Sequence, residues 1–293
     1  MNSSDVRVFQ IHYRPEQVAL LDPAFLPLDN GGKHDPFFEF GVFKRLTESP
    51  QTQGARLWGA FSWKFGQKTG MTGAQLLQTI EDHPGRDVYY CNHLPEIEAL
   101  FQNLWMHGQT RHPGLIELAQ AIFSNAGIDP KVCRLIEPTA TFATANFFVA
   151  TPRFWFAYIA FVERILQPAL ADPILGPRIL SDRADPKNIH VGATYLPFII
   201  ERLFGVFLDS REGRTFHTMQ YPVPTQESRL NPHLRRLRQM KQAAWKTRSS
   251  WMLQCWYGYR NLYLEHLNGA DWVATQLPAI SPEGIDFSEP RQY

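Results

Sequence analysis

Cysteine is scarce in this chain of 293 residues, and the three that occur lie far apart. Cys91, Cys133 and Cys255 are odd in number and include no Cys-x-x-Cys pair, which excludes a disulfide framework and a zinc site built on paired cysteines. We expect Cys91 and Cys133 to be small buried hydrophobic residues of a cytoplasmic protein.

Long apolar runs and a strong overall charge are also missing. No stretch approaches the roughly 18 apolar residues of a membrane-spanning helix, and Met1–Arg7 lacks the apolar segment of a signal peptide. The formal net charge is only +1, which argues against nucleic acid as a partner. The Walker, GxGxxG, GxSxG and HExxH motifs are absent as well. We therefore expect a cytoplasmic protein that is soluble or peripheral at the inner face of the membrane.

What the chain does contain is enough apolar and aromatic material for a sizeable core, at 44% and 13% of its residues. Strand patterns alternate with helix patterns, which is typical of an α/β fold. The predicted strands are 6–13, 57–65, 87–91, 142–150 and 215–223. The predicted helices are 37–46, 73–82, 95–107, 113–126, 153–166 and 193–208. Residues 21–32 and 168–187 are predicted to be irregular because prolines and Asn-Gly signals interrupt them.

The segment 188–208 is the most informative, because Glu201 and Arg202 stand inside an otherwise apolar helix. A carboxylate in such surroundings meets either a low-dielectric neighbourhood or a cleft, where it pairs with a cation, orients a hydroxyl group or acts as a base. A purely structural ion pair between Glu201 and an arginine is the competing interpretation.

Further polar residues follow the predicted strands, and such strand ends converge on one edge of a parallel sheet. They are Asp29, Asn30, Ser62, Trp63, Lys64, Asn92, His93 and Asn146. Lys64 and Lys68 would either meet phosphate groups or be solvated. Trp58, Trp63 and Trp105 would either stack on a ligand or pack in the core. The spacing of His93, His107 and His112 is too irregular to favour a metal site over ordinary hydrogen bonding.

The order of these motifs resembles bacterial GT-A-type glycosyltransferases of surface-polysaccharide (O-antigen and capsule) loci. The stretches that carry the resemblance are 9–13, 21–30, 58–65 with 68–70, 87–92, 146–150 and 198–208. It implies a GT-A-like, Rossmann-like fold, with a mainly parallel mixed sheet flanked by helices as a catalytic domain over residues 1–227. A helical C-terminal extension would cover residues 228–293.

The resemblance also implies roles for the polar residues. Nucleotide-binding residues would be Gln10, Ile11, His12, Asp29, Asn30 and Lys64. Substrate-binding residues would be Trp63, Asn92, His93 and Asn146. Glu201 and Arg202 would be catalytic, with Glu201 facing the acceptor and removing its hydroxyl proton if the transfer inverts the configuration.

The chain departs from the GT-A pattern in one respect, because it has no Asp-x-Asp pair to hold Mn²⁺ or Mg²⁺ against a diphosphate. Asn92 and His93 occupy the equivalent position. The metal ligands are therefore unknown, and Lys64, Lys68 or Arg202 would have to neutralise the leaving diphosphate in place of a metal. A non-catalytic binding or assembly protein of a polysaccharide pathway is the alternative function.

The segment 229–264 is basic and aromatic, with no acidic residue before Glu265. Its basic residues are Arg229, Arg235, Arg236, Arg238, Lys241, Lys246, Arg248 and Arg260. A helix with one cationic and one aromatic side suits an anionic membrane surface, where a lipid-linked acceptor would reside. In the competing interpretation the tryptophans pack on the catalytic domain or a second subunit and the arginines are solvated.

Overall fold

The computed structural model describes residues 5–32, 35–181 and 193–277, and the statements below concern these ranges. Their strands form one sheet in the order β2-β1-β3-β5-β4-β6. The strands are β1 (Val6–His12), β2 (Leu26–Asp29), β3 (Leu57–Ser62), β4 (Val88–Tyr90), β5 (Phe148–Ala150) and β6 (Thr218–Gln220). An α/β architecture is confirmed.

The sheet is mixed, and the prediction of a mainly parallel sheet is wrong. β1 pairs in parallel with β2 and β3, and β4 pairs in parallel with β6. β5, however, lies antiparallel between β3 and β4. The chain leaves β4 through His93 and returns to the same edge at Thr144, whose Oγ1 accepts a hydrogen bond from His93 N at 3.0 Å. Because β5 starts at the edge where β4 ends, it must run in the opposite direction.

Helices flank the sheet and continue beyond it. They are α1 (Glu39–Thr47), α2 (Phe65–Thr69), α3 (Gly73–Asp82), α4 (Pro95–Leu100), α5 (Leu104–Arg111), α6 (Leu115–Asn125), α7 (Pro152–Ala171), α8 (Leu175–Leu180), α9 (Leu196–Asp209), α10 (Thr225–Ser228), α11 (Pro232–Thr247), α12 (Ser250–Asn268) and α13 (Ala270–Gln276). Local signals account for several of their starts. Thr72 Oγ1, for example, accepts from Gln75 N at 3.2 Å and caps α3.

Alternate residues of each strand contribute to cores on the two sides of the sheet. Trp58 and Ala60 of β3 belong to the larger core, while Leu57 and Phe61 belong to the smaller one. The indole ring of Trp58 stacks on that of Trp155 with centroids 4.1 Å apart. The expected burial of Trp58 and Trp105 is confirmed, and Cys91 and Cys133 are also buried.

Several regions differ from the predicted elements. The helix predicted over 95–107 is two helices, α4 and α5, and the strands predicted over 142–150 and 215–223 are only three residues each. The segment 21–32 contains β2, which pairs with β1. The strand predicted over 57–65 ends at Ser62, and the short helix α2 begins at Phe65. The segment 168–187 was predicted to be irregular, but it is largely helical as far as Leu180. α7 continues through Pro168 to Ala171, and α8 follows. Residues 182–192, which include the start of the 188–208 segment, lie outside the described ranges.

The C-terminal helices pack against the rest of the chain. Trp256 of α12 is buried, and its Nε1 donates to the carbonyl oxygen of Ala99 in α4 at 3.0 Å. Lys241 of α11 is also buried, and its Nζ donates to Phe101 O at 2.9 Å. α11 and α12 therefore share a hydrophobic core with α4. The division at residue 227 stays a prediction.

Candidate functional site

A cleft opens at the edge of the sheet where β1, β3 and β4 end and β5 begins. One part has about 860 Å³ of open space and contains Glu39 of α1 and Asn146 next to β5. The adjoining part has about 850 Å³ and contains His93 and Arg229. Lys68, Ala145 and Glu201 line both parts. We call the first part the acidic half and the second the basic half.

In the acidic half a carboxylate is held by an amide from a distant part of the chain. Asn146 Nδ2 donates to Glu39 Oε2 at 2.9 Å. Burial raises the pKa of Glu39, and the charge of Glu201 adds to this, whereas the Asn146 hydrogen bond and the charge of Lys68 lower it. Burial also raises the pKa of Tyr13, with a further increase from Glu39. This half thus places the carboxylate of Glu201 close enough to raise the pKa of Glu39.

The backbone is strained on both sides of this contact. Phe38 has φ 51° and Ala145 has φ 65°, and these residues directly precede Glu39 and Asn146. Positive φ at a residue with a side chain costs roughly 1–2 kcal/mol, and such strain is often found at functional sites. The strain at Phe38 and Ala145 therefore lowers the stability of the fold where Glu39 and Asn146 come together.

The basic half carries cations and uncharged histidines. Lys68 Nζ lies 5.5 Å from the centre of the Phe147 ring, between the two halves. Burial and the charge of Lys68 lower the pKa of His93 to about 4. Burial and the charge of Arg202 lower the pKa of His107 to about 3. At neutral pH the positive charge of this half therefore comes from Lys68, Arg202 and Arg229.

Glu201 and Arg202 point in different directions from adjacent positions on α9. The Glu201 side chain is 34% exposed and lines the cleft, whereas that of Arg202 is 7% exposed. Arg202 Nε donates to Leu104 O at 2.9 Å and its Nη1 donates to Phe198 O at 2.6 Å. The closest approach of the two charged groups is 3.9 Å. Of the two environments predicted for Glu201, a low-dielectric neighbourhood or a cleft, the structure shows the cleft. Arg202 instead anchors α9 to α5.

The structure brings four of the predicted site residues together in this cleft. They are His93, Asn146, Glu201 and Arg202. Lys68, considered for phosphate contact, lies between the two halves.

Other predicted residues support the structure instead of lining the cleft. Gln10 is buried, where its Oε1 accepts from Asp22 N at 2.6 Å and its Nε2 donates to Trp63 O at 3.3 Å. Ile11 belongs to the core. Asn30 is buried and its Oδ1 accepts from Arg45 Nη2 at 2.7 Å.

Asn92 is likewise occupied inside the protein. It is buried, and its Nδ2 donates to Glu98 Oε2 at 2.8 Å. Its Oδ1 accepts from Leu94 N and Thr144 Oγ1, each at 3.1 Å. Asn92 therefore fixes the loop that positions His93.

The remaining predicted residues lie at the same sheet edge but outside the lining of the cleft. His12 is buried, with Nδ1 4.0 Å from Asp29 Oδ1, and the Asp29 side chain is 76% exposed. Lys64 is exposed, with Nζ 5.1 Å from the centre of the half-buried Trp63 ring. These four residues surround the ends of β1, β2 and β3.

Sequence reasoning missed Glu39, Tyr13 and Arg229 as site residues. A signal for Glu39 was present, because it stands among Phe37, Phe38 and Phe40 just as Glu201 stands among apolar residues. No comparable signal marks Arg229, since its place in the cleft follows from how α11 and the segment before it pack on α4.

The side chains after β4 do not fit Mn²⁺ or Mg²⁺, the metals that the resemblance suggests. Both polar atoms of the Asn92 amide are already hydrogen-bonded. The carbonyl oxygen of Thr144 lies 3.0 Å from His93 Nδ1 and can only accept, so it holds the proton on that nitrogen and leaves Nε2 as the one ring atom that could ligate. A single imidazole nitrogen is a poor substitute for the several oxygen ligands that Mn²⁺ and Mg²⁺ prefer. Across 5–32, 35–181 and 193–277, no group of three or more His, Cys, Asp or Glu residues is arranged to hold a metal ion.

Some basic side chains of the C-terminal segment are paired with acids or buried inside the protein. Arg238 Nε lies 2.9 Å from Glu98 Oε2, and Arg229 Nη1 lies 2.9 Å from Glu96 Oε1. Lys241 and Arg260 are buried. Among the tryptophans, Trp256 packs on α4 while Trp251 is 71% exposed. None of the described helices is both long and apolar enough to cross a membrane.

Comparison with known proteins yields no relative: no family model, no curated protein and no solved structure matches this chain.

Proposed function

We propose that this chain is a glycosyltransferase with a GT-A-like, Rossmann-like catalytic domain. It would move a sugar from a nucleotide-sugar donor to a glycan or lipid-linked acceptor in the synthesis of a bacterial surface polysaccharide, in the cytoplasm. The observation that carries this proposal is one cleft at the sheet edge in which carboxylates and aromatic rings adjoin a group of cations.

The basic half suits the leaving group. A departing nucleoside diphosphate gains negative charge, which preorganised cations stabilise in the transition state. Lys68, Arg202 and Arg229 bring positive charge to this half, and Arg202 and Arg229 are held in place by hydrogen bonds to Leu104 O and Glu96 Oε1. His93 and His107 are uncharged at neutral pH and add no further positive charge. The nucleotide would extend from there towards Asp29, Trp63 and Lys64 at the ends of β2 and β3.

The acidic half suits the acceptor. In an inverting transfer the acceptor oxygen attacks the anomeric carbon, and the bond from that carbon to the phosphate oxygen breaks. The nucleoside diphosphate leaves with the bonding electrons, and Glu201 takes the acceptor's hydroxyl proton. A retaining transfer would not need that base. Glu201 has the exposure that the base requires, at 34% of its side chain.

Sugar-nucleotide turnover tests the proposal. The purified protein is incubated with a panel of UDP- and GDP-sugars, with and without Mn²⁺, and released nucleoside diphosphate is measured. We expect slow hydrolysis of one donor and faster release once an acceptor glycan is added. Binding of a donor without any release would contradict the enzyme proposal.

That outcome would support the second candidate, a non-catalytic binding or assembly protein of a polysaccharide pathway. The observation favouring it is Asn92, which occupies the position of a metal-binding carboxylate and is hydrogen-bonded within the protein.

Besides the nucleotide sugar and the acceptor, we propose an anionic membrane surface as a partner. Trp251 and Leu262 of α12 are 71% and 67% exposed, and Lys246 and Arg248 at the end of α11 are exposed as well. Exposed tryptophan beside basic residues is typical of helices that settle at lipid headgroups. A transferase with a lipid-linked acceptor would work at that surface.

A further inference from the structure

The side chain of Asn146 has one polar atom without a partner in the cleft wall. The residue is only 9% exposed, and its Oδ1 is buried with no hydrogen bond. Its other polar atom, Nδ2, is used by Glu39. Because an ionised carboxylate can only accept hydrogen bonds, this arrangement leaves Oδ1 as the acceptor that needs a donor. A buried acceptor without a donor costs roughly 1–3 kcal/mol.

Two charged groups that line the same half as Asn146 are also acceptors. The carboxylates of Glu39 and Glu201 line the same half of the cleft as Asn146. Among charged side chains, Lys68 alone brings a cation to that half within the described part of the chain. A ligand that satisfies these acceptors must present several hydrogen-bond donors, and a ligand carboxylate would be repelled.

The other walls of the acidic half are aromatic. Phe37, Phe38, Phe147 and Phe198 contribute rings, and Phe38 is 44% exposed although its backbone is strained. Aromatic faces pack against the apolar C–H faces of a ring, while its hydroxyl groups reach acceptors at the rim. An uncharged sugar ring has both properties.

We propose that Glu39 and the Asn146 amide form a subsite for the hydroxyl groups of a neutral sugar ring, and that this subsite discriminates against hexuronic acids. The inference rests on the proposed glycosyltransferase function and names the substrate class at that site. One ring hydroxyl donates to Asn146 Oδ1 and another to Glu39, while the ring packs against the aromatic wall. Glu39 and Asn146 act here as specificity-determining residues, and Glu201 keeps the role of base.

Binding of simple glycosides tests the subsite without requiring transfer. Ligand-detected NMR is used with methyl glucoside, methyl N-acetylglucosaminide, glucosamine and methyl glucuronide, the glycoside whose glucuronate carboxylate is free, at equal concentrations. We expect the neutral glycosides to bind at least about tenfold more tightly than glucuronate, a difference of about 1.4 kcal/mol. Equal binding of glucuronate, binding of glucosamine alone, or no binding of any glycoside would overturn the proposal.

Variants locate the effect in the acidic half. We expect Glu39→Gln and Asn146→Ala each to weaken binding of the neutral glycosides about tenfold, and Glu39→Gln also to narrow the preference over glucuronate. Asn146→Ser is a second variant in case Asn146→Ala does not fold. Glu163→Gln is the matched control, because Glu163 pairs with Lys44 outside the cleft, and it should bind like the parent. Unchanged binding in the folded Glu39 and Asn146 variants would overturn the assignment.

Failure of the subsite and failure of the enzyme proposal can be told apart. Glycoside binding that depends on Glu39 and Asn146, without release of nucleoside diphosphate from any donor, would leave the subsite and remove the transferase. Release of nucleoside diphosphate from a donor, with the preference for neutral glycosides over glucuronate unchanged in both variants, would leave the transferase and remove the subsite. If added Mn²⁺ binds at Glu39 and displaces the glycosides, Glu39 and Asn146 Oδ1 bind a cation, and the proposed sugar subsite is wrong.

Discussion

The cleft contains two glutamates whose surroundings give them different tasks. Glu39 is enclosed, hydrogen-bonded to Asn146, and has a raised pKa. Glu201 is one-third exposed, and its closest cation, Arg202, has its guanidinium engaged by carbonyl oxygens. Glu201 leaves room for an acceptor hydroxyl group to approach, whereas Glu39 is already held by Asn146 and is better suited to keep a hydroxyl group in place.

The first prediction concerns Glu201. We expect Glu201→Gln to lower the rate of sugar transfer by about 10²–10⁴-fold, the usual contribution of a positioned base. Initial rates with saturating donor and acceptor measure this, and melting curves show whether the variant folds like the parent. Glu163→Gln serves as the control and should transfer normally. Activity within a few-fold of the parent would identify Glu201 as a structural residue.

The second prediction concerns the pH dependence of stability at Glu39. Burial raises the pKa of this carboxyl in the folded protein above its usual 4.5. As pH rises above 4.5 the unfolded chain loses its proton first, so ionisation favours the unfolded state until the pH passes the raised pKa. We expect Glu39→Gln to gain stability over the parent across that interval.

Urea unfolding at about pH 4 and about pH 8 measures this difference. The free energy of unfolding of Glu39→Gln minus that of the parent should be larger at the higher pH. The same difference at both values would contradict the raised pKa. Glu163→Gln is the control, because Glu163 is paired with Lys44 outside the cleft, and its difference from the parent should change less between the two pH values.

At the scale of elements, α11 is joined to the body of the protein through buried charge. Glu98 is fully buried, and its carboxylate accepts from Asn92 Nδ2, Arg238 Nε and Thr139 Oγ1. Lys241 is next to this group, and burial lowers its pKa while the carboxylates of Glu98 and Glu137 raise it. A chain ending at residue 228 would lose Arg238 and Lys241 and leave Glu98 and Glu137 without their cations. We therefore expect truncation to impair folding, so that a loss of function in the truncated chain would not identify a functional role.

The third prediction concerns Lys241 and Glu137. Burial raises the pKa of Glu137, and the charge of Lys241 lowers it. Removing one partner of a buried charge pair leaves the other uncompensated, which typically costs about 3–5 kcal/mol. We expect Lys241→Met to be destabilised by about this much and the double variant with Glu137→Gln to recover part of it. Chemical denaturation of the parent, both single variants and the double variant gives the coupling energy, and purely additive effects would contradict the pairing.

At the scale of the whole molecule, the nucleotide and the membrane would use different surfaces. The fourth prediction is that UDP or GDP protects residues 10–13, 26–30 and 62–68 from hydrogen exchange, because β1, β2 and β3 end beside the cleft. Exchange measured with and without each nucleotide maps the protection. Protection confined to the C-terminal third would contradict the proposed donor site.

The fifth prediction concerns the C-terminal surface. We expect the protein to float with anionic vesicles but not with neutral ones, because each nearby basic residue contributes about 1 kcal/mol to attraction by anionic lipid. Trp251→Ser should reduce flotation several-fold. Phe156→Ser is the matched control, since Phe156 is also a large exposed ring, 60% accessible, but lies on α7. Equal flotation of the two variants and the parent would refute the part played by Trp251, and a parent that does not float with anionic vesicles would refute the membrane role.

The sequence by itself determined the elements whose signals are local. Val6–His12 and Gly73–Asp82 follow from β-branched or periodic apolar residues and a capping threonine. The start of α7 at Pro152 follows from the proline at its first turn. The importance of Glu201 was also visible, because an acid in an apolar helix is costly unless it reaches a cleft or a partner.

Only the tertiary structure decided how these elements meet. β2 was missed because an edge strand with a proline depends on pairing with β1. The direction of β5 depends on the return of the chain from β4, and the Glu39–Asn146 contact joins residues 107 positions apart. Asn92, which looked like a site residue, is turned inward by Glu98. Local sequence records what each segment favours, but distant partners decide which polar groups are satisfied within the fold and which are left for a ligand.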